Sequence, residues 1–359
     1  MIYLLFWAMF FLGFIFKRNC LVKYLLISYI FILMAFNTYN ADFENYQNMY
    51  NAIGNGTYGG WITDFGYVAL VNLGNSFGLT YADFLIVYFG VTALLLLKIV
   101  NKYSAYPNAV LSLILLYPLF INIIQLRSFL ALLIIVYALQ YLTERNFKNI
   151  AKFITAIVLA TSLHLSSIFF GILLIFFIRN RVYILILGIL AFILLIAISP
   201  FLVDLINTIS VGKLDSYTEN NYITLNKVIR TISIGMASII LIASLKYTLI
   251  KDGAISKYDN TLANVAILIL LLSSIAILFS NEFERYSRLG YLLSYILYFN
   301  ILATNSVNQI KKILLSILFS ATIFGYIFFQ YYFRASNDIP FAEAVFQTII
   351  ENNSLIGIN

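Results

Sequence analysis

Charged residues are scarce in this chain. Asp, Glu, Lys and Arg together account for 10% of its 359 residues, whereas 62% are hydrophobic and the mean hydropathy is +0.93. A soluble domain carries about 25% charged residues, so the composition excludes a soluble enzyme or a soluble binding module. The apolar stretches are continuous and lack the alternation of membrane-barrel strands, so they predict membrane-spanning helices.

Cysteine and histidine each occur once. A lone cysteine excludes an internal disulfide, and His164 alone cannot build a histidine-rich metal centre. The acidic pairs Asp42 with Glu44 and Glu282 with Glu284 offer oxygen ligands for Mg²⁺ or Ca²⁺, but such pairs are more common without a metal. We therefore predict neither a metal site nor a cofactor.

The chain has no complete nucleotide-binding motif. Residues 54–59 have the glycine spacing of a dinucleotide-binding loop, but no strand precedes them and no helix follows, so we interpret them as a turn. Gly212 and Lys213 lack the rest of a phosphate-binding P-loop. ATP-driven transport therefore has no support in the sequence.

Apolar segments of spanning length recur along the whole chain. They predict an all-α, polytopic membrane protein with about 12 transmembrane helices of roughly 20 residues each, forming one integral membrane domain of residues 1–359. The segments are 1–16, 21–38, 81–100, 108–124, 126–142, 149–163, 165–178, 182–199, 227–249, 260–280, 287–304 and 313–333. Because 149–163 and 165–178 are short, a re-entrant pair is an alternative there. Three outer segments are long enough to fold: 39–80, 200–226 and the tail 334–359.

Basic residues are distributed unevenly among the predicted loops. When the loops are assigned alternately to the two sides, one side receives most of the 22 Lys and Arg residues and few acids. The positive-inside rule makes that side cytoplasmic, so both termini are predicted outside. The net charge of +7 then reflects topology, not a nucleic-acid partner. The cations on the outer side are Arg127, Lys213, Lys227, Arg230, Arg285, Arg288 and Arg334.

Arginine dominates this outer set, whereas lysine dominates the inner loops. A guanidinium binds phosphate through two parallel hydrogen bonds, which suits an anionic ligand at the outer surface. In helical geometry, however, Glu282 also has ion-pair spacing to Arg285, and Glu284 to Arg288. A self-neutralised hairpin with ordinary rim charges is therefore the alternative to a ligand site.

The outer segment 39–80 combines tyrosines with carboxylates. Asp42, Tyr46 and Tyr50 are four residues apart, so a short interfacial helix would place them on one face. Such tyrosines commonly anchor a protein at the membrane interface, but rings beside Asp42 and Glu44 also suit a sugar. His164, at the outer end of a predicted span, is either an ordinary hydrogen-bonding residue or a general base.

Four short motifs follow one another along the chain. They are Ala41-Asp42-Phe43-Glu44-Asn45-Tyr46, Asp64-Phe65-Gly66-Tyr67, Leu126-Arg127-Ser128-Phe129-Leu130-Ala131 and Ser162-Leu163-His164-Leu165-Ser166-Ser167. In this order and spacing they resemble the EpsG-like proteins, which belong with the Wzy-type polymerases of bacterial capsule, exopolysaccharide and O-antigen. The resemblance covers roughly residues 30–180 and continues weakly through 284–286 and 340–341. The family more often has Glu-Pro-Gly at 64–66, Gln at 128 and Tyr at 341.

The resemblance implies a glycosyltransferase at the outer face of the bacterial cytoplasmic membrane. Its donor would be a glycan on polyprenyl pyrophosphate, and its acceptor another lipid-linked repeat unit. Membrane lipids, the flippase and the chain-length regulator of the same pathway are candidate partners, and no nucleic acid is expected. We predict His164, Asp42 and Arg127 as catalytic residues. The predicted substrate-binding residues are Arg285, Arg288, Glu44, Tyr46, Asp64, Glu282 and Arg230.

Other functions remain alternatives for a polytopic chain of this kind. A lipid-linked oligosaccharide flippase or another transporter predicts charges deep within the spans and a repeat relation between the halves, and the sequence has neither. A membrane O-acyltransferase or a glycan ligase would share the topology and differ in the acceptor. A purely structural scaffold does not account for the outer arginines.

Overall fold

The computed structural model describes residues 2–58, 64–178, 225–277, 283–328, 330, 335–336, 339–340 and 342–357. Within these ranges the chain is almost entirely helical, which confirms the all-α class, and the one sheet pairs two strands of two residues each. The α-helices are α1 (Ile2–Ile15), α2 (Cys20–Ala35), α3 (Phe43–Gly54), α4 (Phe65–Ser76), α5 (Tyr81–Tyr103), α6 (Pro107–Leu116), α7 (Leu119–Ile124), α8 (Leu126–Ala138), α9 (Phe147–Leu163), α10 (Leu225–Lys251), α11 (Lys257–Ala276), α12 (Glu284–Ala303), α13 (Gln309–Phe328) and α14 (Thr348–Glu351). The other elements are the 3₁₀ helices Leu139–Thr143 and Leu165–Phe177, the strands β1 (Ala335–Ser336) and β2 (Ile339–Pro340), and the π-helix Ala342–Gln347.

Five helices in the described ranges have the length and apolarity of a complete membrane span. They are Tyr81–Tyr103, Leu126–Thr143, Ile232–Lys251, Lys257–Ala276 and Gln309–Phe328. The shorter apolar helices are Ile2–Ile15, Cys20–Ala35, Pro107–Leu116 and Leu165–Phe177. Because the predicted span 182–199 lies outside the described residues, the expected total of about 12 spans stays a prediction.

The two short predicted spans 149–163 and 165–178 fold as different kinds of helix. The first is the α-helix α9, and the second winds as a 3₁₀ helix of 13 residues. A 3₁₀ rise of about 2.0 Å per residue stretches those residues to about 26 Å, which approaches the ~30 Å thickness of a bilayer core. Their lengths therefore do not require a re-entrant arrangement. The two helices meet at His164, which belongs to neither.

The predicted span 108–124 is not a single helix, and its crossing of the membrane stays a prediction. The chain forms α6 and then the short α7, with a break at Tyr117 and Pro118. Proline has no N–H to donate to the preceding turn, and its ring clashes with a carbonyl of that turn. The interruption places Asn122 and Gln125 at the junction of α7 and α8, inside the bundle, where Asn122 is only 2% exposed.

The core of the bundle contains α12, which is buried along almost its whole length although it is rich in tyrosine. Buried hydroxyl groups need hydrogen-bond partners, and these tyrosines have them. Tyr286 donates to the carbonyl oxygen of Ser166 at 2.8 Å, and Tyr298 donates to the hydroxyl of Ser316 at 2.9 Å. Much of the tyrosine content therefore serves packing in the interior.

Polar contacts define one end of the bundle, which we call the basic end. There Arg18 donates to the carbonyl oxygen of Ala105 at 3.1 Å. Asn300 accepts from the N–H of Ala105 and donates to Asp259 at 2.7 Å. The α1–α2 and α5–α6 connections, the end of α12 and the start of α11 thus lie together. Lys17 and Arg18 in the first of these are cations that the sequence assigns to the cytoplasm.

The opposite end, which we call the site end, holds the first and last described elements. The hydroxyl of Tyr3 in α1 donates to Glu351 in α14 at 2.7 Å. Just beyond α2, Asn37 forms an isolated antiparallel bridge with Asn353. Both terminal segments therefore lie at the same end of the molecule, and their location outside the cell stays a prediction.

The short helix predicted in the outer segment is confirmed as α3, which begins directly after Asp42. Tyr46 and Tyr50 lie on one face of α3, and that face is buried in the bundle. The hydroxyl of Tyr50 donates to the carbonyl oxygen of Leu79 at 2.7 Å. These tyrosines therefore attach the outer segment to the core and do not act as interfacial anchors.

Candidate functional site

An ion pair at the site end forms the first part of the candidate site. Arg127, in the first turn of α8, places Nη1 2.5 Å from Oδ2 of Asp64. The other carboxylate oxygen of Asp64 accepts from the backbone N–H of Leu165 at 2.6 Å. Asp64 has a φ of 57°, in the left-handed region that aspartate enters more readily than most residues. This conformation directs the carboxylate to its two partners, and the side chain does not cap α4.

Two tyrosine rings enclose the guanidinium group of Arg127. Its central carbon lies 5.2 Å from the ring centroid of Tyr46 and 5.4 Å from that of Tyr67, distances typical of cation–π contacts. Nε of Arg127 also donates to the hydroxyl of Tyr46 at 3.4 Å. The side chain is 22% exposed, so the cation is partly shielded from water and attracts an anion more strongly than a fully solvated one does.

His164 and Arg285 form the second part of the site. Nη1 of Arg285, in the first turn of α12, lies 2.8 Å from Nε2 of His164. A guanidinium can only donate, so Nε2 is the acceptor and the neutral ring carries its proton on Nδ1. Within the described part of the chain, Nδ1 is buried and has no hydrogen-bond partner. Since Leu165 follows directly and binds Asp64, the peptide after His164 joins the two parts.

Three arginines act electrostatically on His164, which lies in the break between two helices. Burial lowers the pKa of the imidazole, and the positive charges of Arg285, Arg127 and Arg288 lower it further, to about 3. Each of these effects opposes a second positive charge at this position. His164 is therefore neutral at physiological pH, and the charges of the arginines of α8 and α12 both act on it.

Arg288 lies in the interior, one turn beyond Arg285 on α12, and is only 5% exposed. Nη1 donates to Oδ1 of Asn122 at 3.0 Å, and Nη2 donates to Oε1 of Gln125 at 2.9 Å. Its Nε is buried and has no partner in the described ranges. Arg288 thus fixes the α7–α8 junction, directly before Arg127.

The ion pair that the spacing of Glu284 and Arg288 predicted does not form. Oε1 of Glu284 accepts from the hydroxyl of Tyr326 at 3.2 Å and from the amide of Gln330. The carboxylate is directed toward α13, whereas the guanidinium of Arg288 is directed toward α7, because each finds partners on a different neighbouring element. The proposed pair of Glu282 with Arg285 involves a residue outside the described ranges.

The remaining predicted site residues lie at varying distances from this cluster. Asp42 is close enough to raise the pKa of Tyr46, although burial is the larger cause. Glu44 is exposed on α3 and has no contact with the cluster among the described interactions. Arg230 lies in α10, but its side chain is not among the described ones, and Glu282 lies outside the described residues.

Several residues that contribute to the site were not predicted. Tyr67 was part of a matching motif without an assigned role. Asn122 was assigned to the predicted span 108–124, and Gln125 to the single residue between that span and 126–142. The sequence did carry one signal, since two amides close to a proline are unusual in a membrane helix. Gly66 also has a role, because a Cβ there would lie 2.3 Å from Oγ of Ser162, so only glycine permits this approach of α4 to α9.

Potential metal ligands are sparse in the part of the chain that the structure describes. No group of three or more His, Cys, Asp or Glu side chains is placed there to hold a metal ion. The candidate site is instead a set of fixed cations, two tyrosine rings, one carboxylate and one neutral imidazole. Such a set can bind an anion and accept a proton.

Comparison with known proteins assigns the chain to a protein family. The family model described as EpsG family matches residues 20–343. Searches of curated proteins and of solved structures each gave no significant match. The matched range includes all the helices from α2 to α13 and every contact of the candidate site described above. This chain therefore belongs to the EpsG family of membrane proteins, whose role is in polysaccharide biosynthesis.

Proposed function

We propose that this protein is a polysaccharide polymerase. In this proposal it transfers a glycan from polyprenyl pyrophosphate onto another lipid-linked repeat unit, at the outer face of the bacterial cytoplasmic membrane. Membership of the EpsG family supports polymerase-type glycosyl transfer in general. The observation that carries the specific proposal is the convergence of Arg127 and Arg285 on His164 at the site end.

The two accessible arginines suit the leaving group of this reaction. When the bond between the anomeric carbon and the diphosphate oxygen breaks, the diphosphate keeps the electron pair and gains negative charge. Fixed cations in a partly dry site stabilise such charge best, because they need no reorganisation during the reaction. Arg127 and Arg285 would donate to the diphosphate, while Arg288 maintains the junction that holds Arg127.

When no substrate is bound, Asp64 forms an ion pair with Arg127. Its carboxylate accepts the same kind of hydrogen bond that a phosphate oxygen would accept. We propose that the diphosphate competes for the outward-facing donors of Arg127, while Asp64 keeps its contact with the N–H of Leu165. Asp64 is then a positioning residue that holds Arg127 ready for its ligand.

His164 is our candidate for the general base, with Asp42 as the alternative. In the unliganded state Arg285 occupies Nε2, and the arginines keep the imidazole pKa low. A bound diphosphate would attract Arg285 and neutralise the local positive charge, so it would free Nε2 and raise the pKa of His164. Nε2 would then accept the proton of the acceptor hydroxyl as its oxygen forms the new bond to the anomeric carbon.

Replacement of either arginine by lysine tests this function in cells. Lysine keeps the charge but cannot form two parallel hydrogen bonds to a diphosphate. In a host that makes the polymer, we expect Arg127→Lys and Arg285→Lys each to abolish the polymer while single-repeat lipid-linked glycan accumulates. Electrophoresis of the polymer and mass spectrometry of the extracted glycolipids measure both products.

The matched control is Arg18→Lys at the basic end, where the replaced arginine is exposed and bonds a backbone carbonyl. It should leave the polymer unchanged. Full-length polymer in both site variants would remove the arginine mechanism. Accumulation of single repeats on the cytoplasmic side would instead indicate a flippase, and polymer that fails to reach a separate final acceptor would indicate a ligase.

A further inference from the structure

A large groove lies on the surface of the bundle, away from the candidate site. It has a volume of about 640 Å³ and is formed by α8, the 3₁₀ helix Leu139–Thr143, α9 and Leu95 of α5. Its walls are almost entirely apolar and include Ile134, Tyr137, Ala151 and Leu159. This volume falls within the range of about 300–1,000 Å³ that is usual for small-molecule sites.

The groove follows one face of α9. Lys148, Lys152, Thr155 and Leu159 line it at spacings of three or four residues, so they lie one above another along that helix. At a rise of about 1.5 Å per residue, the distance from Lys148 to Leu159 is roughly 16 Å. The groove is therefore elongated along α9, which suits an extended hydrocarbon chain better than a compact ligand.

One end of the groove is positively charged. Lys148 and Lys152 are exposed, and neither forms an ion pair with a described residue. Nζ of Lys152 lies 5.1 Å from the ring centroid of Tyr141, which also lines the groove. Two cations beside an apolar channel complement a ligand that has an anionic head and an apolar tail.

We propose that this groove binds an anionic glycerophospholipid of the bilayer. Its phosphate would contact Lys148 and Lys152, and one acyl chain would extend along α9 toward Leu159. The polyprenyl chain of a glycan donor is a poorer match, because it carries its only charge at the diphosphate. That diphosphate belongs with Arg127 and His164, which lie at the opposite ends of α8 and α9 from the two lysines.

The site is independent of glycosyl transfer, yet it adjoins the same two helices. Arg127 begins α8 and His164 follows α9, whereas Lys148 and Lys152 lie in the first turns of α9. A lipid in the groove would thus contact both helices without touching the candidate site. The positive-inside prediction places its phosphate in the cytoplasmic leaflet.

Native mass spectrometry of the purified full-length protein tests the proposal. Phosphatidylglycerol and phosphatidylcholine with identical acyl chains are titrated in turn, and the bound lipid is counted. We expect phosphatidylglycerol to bind more tightly. In the double variant Lys148→Gln/Lys152→Gln, its affinity should fall about 25-fold, since each lysine beside an anionic lipid contributes roughly a fivefold factor.

Two further variants distinguish lipid binding in the groove from attraction of the lipid by general surface charge. Ala151→Trp fills the channel and leaves both lysines in place, so it should also displace phosphatidylglycerol. Lys257→Gln replaces an exposed lysine at the start of α11, outside the groove, and should change nothing. A phosphatidylglycerol carrying a photoreactive group on its acyl chain should crosslink to the peptide that contains Thr155 and Leu159.

The proposal fails if the double variant binds phosphatidylglycerol as the wild type does, or if both phospholipids bind the wild type equally. It also fails if Lys257→Gln lowers binding as much as the double variant, since that would indicate only surface charge. Co-purified polyprenyl lipid that is lost in Ala151→Trp and kept in the double variant would assign the groove to the donor tail and overturn the phospholipid.

Discussion

His164 and the peptide after it contact both parts of the candidate site. Nε2 of His164 accepts from Arg285, its Nδ1 has no partner among described residues, and the next peptide N–H binds the carboxylate that pairs with Arg127. A neutral histidine held by a guanidinium is not yet a base. It becomes one when a negative ligand removes the arginine, so the imidazole couples donor binding to proton transfer in our proposal.

The ionisation of His164 can be measured directly because it is the only histidine in the chain. Histidine labelled with ¹⁵N gives the ring signals of a single residue. We expect the wild-type ring to stay neutral, with its proton on Nδ1, from pH 8 down to pH 5, because its pKa lies near 3. In Arg285→Ala the pKa should rise toward its ordinary value of about 6.5.

The lowered pKa of His164 also makes the free energy of unfolding depend on pH. The folded pKa lies below the unfolded value of about 6.5, so the unfolded chain binds a proton that the folded chain resists. The contribution of His164 is therefore fully present above pH 6.5 and is lost as the pH falls toward 3. A wild-type ring that titrates near pH 6.5 would contradict the burial of His164 and the placement of Arg285 and Arg127 beside it.

Helix α12 carries two arginines one turn apart that have different tasks. Arg285 contacts His164 at the site. Arg288 is buried, and two of its N–H groups donate to the side-chain amides of Asn122 and Gln125 at the α7–α8 junction. A charged group in the interior is tolerated when hydrogen bonds satisfy it, and removing such bonds is costly. In our proposal one helix therefore supplies both a group that binds the diphosphate and a group that holds the neighbouring junction.

Lysine substitutions should separate these tasks. Arg288→Lys cannot reach Asn122 and Gln125 together, so we expect a loss of about 2–4 kcal/mol in the free energy of unfolding. Arg285→Lys should change stability by less than about 1 kcal/mol, while it weakens diphosphate binding. Thermal unfolding of the purified proteins in detergent gives the comparison. Equal stability in the two variants would show that Arg288 does not hold the junction.

The sequence predicted elements better than their interruptions. The length of the apolar segments alone located α1, α2, α5, α9 and α13, because about 20 apolar residues in a helix match the thickness of the hydrocarbon core. The break at Pro118 was missed, since the residues around it are as apolar as the rest of the segment. The 3₁₀ winding of 165–177 was missed as well, because it depends on packing and not on composition.

The sequence pointed to residues that the structure brings together, but it did not reveal their contact partners. Charge asymmetry between the loops and the motif order identified Arg127, His164 and Arg285, which the structure brings together. The partners of Arg288 lie 166 and 163 residues away along the chain, so no local spacing could reveal them. Local spacing instead suggested Glu284, whose carboxylate turns to α13.

At the scale of the molecule, the site end and the basic end make the topology testable. The single cysteine, Cys20, is exposed and begins α2 beside the loop of Lys17 and Arg18. We expect a membrane-impermeant maleimide to label Cys20 in spheroplasts only after lysis. With Cys20→Ser in the background, Asn48→Cys on the exposed side of α3 should be labelled in intact spheroplasts. The reverse pattern would invert the proposed orientation.

The two ends also separate two chemistries. The site end holds the partly buried Arg127 and Arg285, whereas the basic end presents exposed lysines, two of which line the groove between α8 and α9. Arginine suits a fixed, bidentate contact with a diphosphate, and lysine suits a mobile contact with a hydrated headgroup. In our two proposals the bundle would therefore contact phosphate at both ends, through arginine at one and through lysine at the other.

The most direct test of the central claim is the affinity of the purified protein for a short-chain prenyl diphosphate, measured by titration calorimetry in detergent. A charged hydrogen bond is worth about 1.5–3 kcal/mol, so Arg127→Lys and Arg285→Lys should each weaken binding by at least about tenfold. Arg18→Lys should bind as the wild type does. Equal affinities in all four proteins would contradict the account, because the two arginines would then have no part in holding a diphosphate.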